Sequence, residues 1–159
     1  KEAEAGGDPV TVTAAYSGAT TNMTDGNNAS SIGLNPDLFT VTAIKNSPNQ
    51  NVGLNKDGQI RIYTDRDDGN GNILQISIAA GFKITSVVFE FGASTNNPTG
   101  KLTLGENVYD LSTADLRNVT KNYSDLDITT FSLQNTQTGG SSNAQIYILS
   151  ITITYVPIN

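Results

Sequence analysis

The chain has 159 residues, with nine Lys and Arg against 15 Asp and Glu, and it contains neither His nor Cys. A net charge of -6 with scattered basic residues argues against nucleic acid as a partner, because phosphate binding needs clustered Lys and Arg. No apolar run reaches the ~20 residues of a membrane span. Without His or Cys, the usual catalytic triads are excluded, and only carboxylates remain as strong ligands for a zinc site.

Residues 1–8 form a charged, glycine-containing extension, and we expect one domain over residues 9–159. The domain begins with an alternating stretch that places four side chains on one face of a strand: Val10, Val12, Ala14 and Tyr16. Two outcomes are open for this strand. It pairs within its own domain, or it is donated to the sheet edge of a neighbouring subunit.

Short runs rich in β-branched and aromatic residues predict about nine or ten strands in total. After the first strand they are residues 38–44, 52–54, 59–64, 73–79, 83–92, 101–104, 107–111, 128–134 and 145–156. Asp57-Gly58 predicts a tight hairpin, and Asn70-Gly71 predicts a second hairpin tip. Residues 17–37 read as a long loop, and residues 113–117 as one helical turn. We therefore expect an all-β protein, an antiparallel β-sandwich of the jelly-roll or immunoglobulin-like kind.

The apolar residues of the last strand change phase. Ile146 and Ile148 share one face, whereas the series from Leu149 to Tyr155 falls on odd-numbered positions. A slip of one residue predicts a β-bulge or a strand that crosses between sheets.

Residues 65–72, DRDDGNGN, are dense in oxygen ligands. Calcium takes about six to eight oxygens, and alternate Asp and Asn residues in a glycine-bent loop can supply them. Gly69 at the fifth position and the lack of a Glu at the twelfth exclude an EF-hand. No cofactor is required, and Ca²⁺ is the ion considered. Its candidate ligands are Asp65, Asp67, Asp68 and Asn70. The alternative is an ordinary polar hairpin tip.

Catalysis could use only carboxylates, as in glycoside hydrolysis. Most acidic residues fall in predicted loops, and Glu90 is the one inside a strong strand, between Phe89 and Phe91. Strand alternation places Glu90 opposite the two rings, on the solvent face. We therefore expect a non-catalytic protein, without catalytic residues.

Glycan recognition needs exposed aromatic faces and hydrogen-bonding side chains. Trp is absent, so tyrosine is the platform considered. Arg61 and Tyr63 share a strand face, and Tyr123 lies in the polar stretch 117–127. For all three residues the alternative is ordinary sheet packing. Asn-X-Ser/Thr sequons, which indicate surface loops more than glycosylation, occur at Asn22, Asn28, Asn118 and Asn122.

Three segments together resemble a known group of proteins: QIRIY at 59–63, GFKITSV at 81–87 and ITITY at 151–155. They are similar, in this order, to secreted β-sandwich modules of multimodular Firmicutes and Bacteroidetes surface proteins, some of them appended to extracellular nucleases. The resemblance implies a galactose-binding-like or immunoglobulin-like sandwich with an extracellular accessory role. It implies no catalytic residue.

The leading functional hypothesis is a secreted structural subunit of an extracellular or cell-surface assembly, such as a fibre or matrix. Its partners are other copies of itself, joined partly through the strand at 10–16. The alternative is a carbohydrate-binding or adhesive module that binds glycans through the polar loops 65–72 and 117–127. The abundance of Asn, Thr and Ser (18, 20 and 13 residues) suits a neutral, hydrogen-bonding surface under either hypothesis.

Overall fold

The computed structural model describes residues 7–158, so most of the expected extension 1–8 lies outside the described residues. Twelve strands and two short 3-10 helices form within them. The strands are β1 Val10–Ala14, β2 Thr21–Asn22, β3 Phe39–Ile44, β4 Gly53–Asn55, β5 Gln59–Ile62, β6 Ile73–Ile78, β7 Phe82–Phe91, β8 Gly100–Leu104, β9 Asn107–Leu111, β10 Thr120–Tyr123, β11 Thr130–Asn135 and β12 Ile146–Pro157. The helices are Ala29–Ile32 and Thr113–Leu116.

The strands form two antiparallel sheets, which confirms the predicted β-sandwich. The larger sheet has the order β10-β7-β12-β5-β4-β2, and β1 also pairs with β12. The smaller sheet has the order β3-β6-β11-β8-β9. No helix among residues 7–158 is both long and apolar enough to cross a membrane.

Strand alternation builds the core between the sheets. In β6, for example, every second residue is buried and the others are partly exposed. Phe89 of the larger sheet and Phe131 of the smaller sheet meet edge to face, with ring centroids 5.9 Å apart. Each fully buried side chain of this size contributes roughly 1.5–3 kcal/mol to folding, so the facing apolar rows hold the two layers together.

The phase change in β12 is a β-bulge, one of the two predicted explanations. Ile148 pairs with Phe91 and Ser150 pairs with Glu90, which leaves Leu149 as the extra residue. Ile148 and Ile151 are therefore both buried on the same face. The strand stays in the larger sheet over its whole length.

The turn predictions meet different outcomes. Asp57-Gly58 does join β4 to β5 as a hairpin. The predicted hairpin tip at Asn70-Gly71 is wrong, because β5 lies in the larger sheet and β6 in the smaller one. Both edges of β5 are already occupied, by β4 and β12, so the chain after it has to cross to the other layer. Two more strands form than expected, since the short β2 lies inside the predicted loop 17–37 and β10 inside the polar stretch 117–127.

The first strand lies in the sheet of its own chain, the first of its two predicted outcomes. The pairing with β12 runs from Val10 opposite Tyr155 to Ala14 opposite Ile151. Ala14 is buried, and Val12 packs against the core, whereas Val10 is 43% exposed. Donation of β1 to a neighbour would therefore require it to leave β12.

Candidate functional site

A cationic and aromatic cluster lies on the outer face of the larger sheet. Arg61 on β5 and Tyr147 on β12 are direct cross-strand partners. The guanidinium carbon of Arg61 lies 4.5 Å from the centroid of the Tyr147 ring, a cation–π distance. The Nε of Arg61 donates a hydrogen bond to Oε1 of Gln59 at 2.9 Å. The guanidinium is thus held in one plane by a ring and by a hydrogen bond.

Two glycines flank the cluster, and one of them, Gly53, makes room for a tyrosine ring. Gly53 on β4 is the partner of Arg61, and the Tyr63 hydroxyl lies 2.7 Å from the position that a Cβ at Gly53 would take. On the other side, a Cβ at Gly92 would lie 3.5 Å from the Cβ of Tyr147. Any larger residue at 53 would have to displace the Tyr63 ring.

The environment of Tyr63 shifts the pKa of its hydroxyl upward. Partial burial is the main cause that raises the pKa of Tyr63 above its ordinary value. The nearby charge of Arg61 and a hydrogen bond with Arg61 act to lower this pKa, and Tyr147 acts to raise it. The phenol can therefore both donate and accept a hydrogen bond at physiological pH.

A cleft of about 210 Å³ begins at Tyr63. All of its lining residues are uncharged: Pro48, Asn49, Gln50, Tyr63, Thr64, Asn143 and Gln145. The Oε1 atom of Gln145 is buried and has no hydrogen-bond partner among the described residues. The cleft thus offers amide and hydroxyl groups next to the aromatic cluster.

A second, larger cleft of about 360 Å³ lies between residues 96–99 and 137–142. Asn143, which lines the first cleft, is hydrogen-bonded to a residue that lines the second cleft. The Nδ2 of Asn96 donates to the Asn143 carbonyl oxygen at 3.3 Å, and the Arg66 backbone N–H donates to Oδ1 of Asn143 at 3.1 Å. The loops around both clefts are therefore joined by one asparagine.

Three buried amide side chains fix these loops. Asn72 donates to the carbonyl oxygens of Lys45 and Gln50 at 2.7 and 3.0 Å. Asn135 donates to the carbonyl oxygens of Ile62 and Ala144, both at 2.9 Å. A third amide closes the last loop, because Gln137 accepts from the Ala144 N–H at 2.6 Å and donates to two carbonyl oxygens. Buried backbone groups that would otherwise lack partners are satisfied in this way.

The predicted glycan-binding residues fall in two places. Arg61 and Tyr63 lie together in the cluster, as their shared strand face predicts. Tyr123 lies on β10, three strands away in the sheet order, and is half-buried against Phe89 and Tyr109. Burial raises the pKa of Tyr123. The first cleft is lined by neither of the predicted loops, 65–72 and 117–127.

The predicted calcium ligands serve the turns of their own loop. Oδ1 of Asp65 accepts from the Asp67 N–H at 3.0 Å, and Oδ1 of Asp68 accepts from the Asn70 N–H at 2.8 Å. Asp68 also accepts from the Ser47 hydroxyl at 2.6 Å, and this hydrogen bond is the main cause that lowers the pKa of Asp68. Within residues 7–158, no three acidic side chains converge into a group that could hold a metal ion.

Glu90 is exposed between the buried rings of Phe89 and Phe91, as strand alternation predicts, and Oε2 of Glu90 accepts from the Ser150 hydroxyl at 3.2 Å.

The sequon at Asn28 does not indicate a surface side chain. Asn28 is only 6% exposed, and its amide donates to backbone carbonyl oxygens, including that of Thr24 at 2.9 Å.

The sequence did not single out Tyr147, Asn143 or Gln145. Tyr147 belongs to a strand of apolar residues, and its alternation with two isoleucines shows only that it faces away from them. Its role depends on which strand lies beside β12. Asn143 and Gln145 occur in a chain with 18 asparagines, so their type alone carries no signal.

No family model matches the chain, and no curated protein matches it. Two solved structures match. One is described as the CBM32 of AlyQ in complex with 4,5-unsaturated mannuronic acid, with 16% identity over 74% of this chain and 95% of that chain, and a TM-score of 0.43. The other is truncated AlyQ with CBM32 and alginate lyase domains, with 15% identity over 77% of this chain and 33% of that chain, and a TM-score of 0.44.

Proposed function

We propose that this chain is a non-catalytic, extracellular carbohydrate-binding module, and that its glycan site comprises Arg61, Tyr63 and Tyr147 with the adjoining cleft. The observation that carries the proposal is the stack of Arg61 on Tyr147, 4.5 Å from the ring centroid, beside a cleft of uncharged polar residues. Carbohydrate binding was the second of the two hypotheses drawn from the sequence, which assigned it to the loops 65–72 and 117–127 and not to this cleft.

Sugars are recognised by two kinds of contact that coexist here. Aromatic rings with a polar tip pack against the apolar C–H faces of a sugar ring, and amide or hydroxyl groups hydrogen-bond its hydroxyls. The half-exposed Tyr63 supplies the first kind, and Gln50, Asn143 and Gln145 supply the second. The cleft of about 210 Å³ is smaller than a typical drug-sized site, which suits one or two sugar units on an open surface.

The test is binding of purified protein to a glycan array, followed by titration calorimetry with the best ligand. We expect Tyr147→Ala to weaken binding about tenfold, because it removes the ring beneath Arg61. Tyr109→Ala is the matched control, since Tyr109 is 42% exposed on the smaller sheet. A wild-type protein that binds no glycan, or equal losses in both variants, would contradict the proposal.

A second candidate is the structural subunit of an assembly. One observation favours it: among the described residues β1 pairs only with β12, and its sequence VTVTA carries no charge. Uncharged edge strands are templates for pairing with another chain. The state of association in solution tests this candidate.

A further inference from the structure

Within residues 7–158, the Arg61 side chain forms no ion pair. No carboxylate among the described residues lies within 4.0 Å of its guanidinium, and the ion pairs there are Lys83 with Asp127 and Lys121 with Asp115. Arg61 is only partly exposed, so its charge is less hydrated than that of a free surface arginine. A partly buried cation without a partner favours an anionic ligand.

The geometry of the guanidinium also suits such a ligand. Its Nε is engaged by Gln59, and one of its faces is covered by Tyr147. Within residues 7–158, the Nε of Arg61 donates to Gln59, and a hydrogen bond between Arg61 and the Tyr63 hydroxyl acts to lower the pKa of that phenol. The other N–H groups of the guanidinium remain available. Two parallel N–H groups in one plane match the two oxygens of a carboxylate or the oxygens of a sulfate.

The surroundings do not oppose an anion at short range. Every residue lining the adjoining cleft is uncharged, including Tyr63, whose phenol is neutral at physiological pH. The net charge of -6 repels anions at long range, so the attraction has to come from direct contact with Arg61.

We infer that the Arg61 cluster binds an acidic sugar, with the guanidinium of Arg61 paired to a carboxylate or sulfate group and the sugar ring lying against Tyr63. This inference rests on the proposed glycan-binding function and names the class of sugar.

The test compares oligosaccharides of equal length by titration calorimetry: a neutral hexose series, a uronic acid series and a sulfated hexose series. We expect at least one acidic series to bind about tenfold more tightly than the neutral series, because a charge-assisted bidentate contact is worth about that factor. In Arg61→Gln the acidic and neutral affinities should become equal. Whichever acidic series shows the preference identifies the anionic group.

Two further variants keep the test decisive. Lys101→Gln removes the same charge from an exposed position on β8 of the other sheet, and it should retain the acidic preference. Arg61→Lys keeps the charge but loses the planar fork, so it should lose most of the preference, and it serves if the glutamine variant does not fold by circular dichroism.

The possible failures can be told apart. Equal affinity of the wild type for neutral and acidic series would overturn the inference and leave the glycan-binding function intact. A preference that survives in Arg61→Gln would also overturn it. Binding of none of the three series would contradict the inference and the proposed function together.

Discussion

At the scale of single residues, Gly71 shows how closely the loops beside the clefts are packed. A Cβ at this position would meet the carbonyl oxygen of Tyr63 at 2.6 Å and, closer still, that of Asn135. Both obstacles are backbone atoms, which cannot rotate away. We predict that Gly71→Ala lowers the free energy of unfolding by about 3 kcal/mol, measured by urea denaturation.

Gly92→Ala is the matched control for this prediction. A Cβ at Gly92 would meet Cδ2 of Leu149 at 3.2 Å, which belongs to a side chain that can change rotamer. We expect a loss of about 1 kcal/mol or less. Equal losses in the two variants would show that the approach of the backbone to Gly71 is not the constraint.

The sequence could predict part of the site at this scale. The shared face of Arg61 and Tyr63 follows from alternation along one strand, so it was visible before any pairing was known. The stack of Arg61 on Tyr147 depends on the pairing of β5 with β12, because the two residues are 86 positions apart in the sequence. The local sequence pattern around either residue does not indicate this pairing. The buried role of Asn72 was also hidden, because an asparagine in a glycine-rich stretch reads as an exposed turn residue.

At the scale of elements, β12 contains one residue more than the facing stretch of β7, and the sheet accommodates it as a β-bulge. Leu149 is the bulged residue, only partly buried, and it packs over Gly92. Without it, the series Ile146, Ile148, Ile151 would alternate regularly, with Ser150 facing outward. We predict that deletion of Leu149 changes the free energy of unfolding by no more than about 1 kcal/mol, because the existing register with β7 continues without a break.

Deletion of Thr152 is the control in the same strand. It shifts the residues that follow by one position, so at least one buried isoleucine has to leave the core. We expect a loss of about 3 kcal/mol or more by urea denaturation. Comparable stability in the two deletion variants would mean that the register of β12 is not fixed by its buried face.

The two predicted hairpins show why elements are easier to predict than their connections. Both Asp57-Gly58 and Asn70-Gly71 have the composition of a tight turn. Only the first joins neighbouring strands, because the second follows a strand whose two edges are already paired. The φ of 82° at Gly58 fits a tight turn, whereas in the second loop the positive φ, 70°, falls on Gly69. Whether both edges of a strand are paired depends on the whole sandwich, so the sequence of the turn cannot indicate it.

At the scale of the whole molecule, the two hypotheses drawn from the sequence make different demands on β1. A subunit of a fibre has to present a strand or an edge to its neighbour, whereas a binding module needs β1 only to complete its own sheet. The structure places β1 against β12 over five residue pairs, with hydroxyl contacts such as that from Thr11 to Thr154 at 2.9 Å. These contacts stabilise the single chain and reduce what a neighbour could gain by displacing them.

We predict that the protein is a monomer at micromolar concentration, by light scattering, at both low salt and about 1 M salt. At low salt the net charge of -6 repels other copies. A monomer observed at low salt is therefore weak evidence that the edge of β1 does not pair with another chain. At about 1 M salt the screening length is about 3 Å, and that repulsion is removed. Any pairing through the uncharged edge of β1 should therefore appear at high salt. Oligomers or filaments under either condition would contradict the prediction and favour the structural subunit over the isolated binding module.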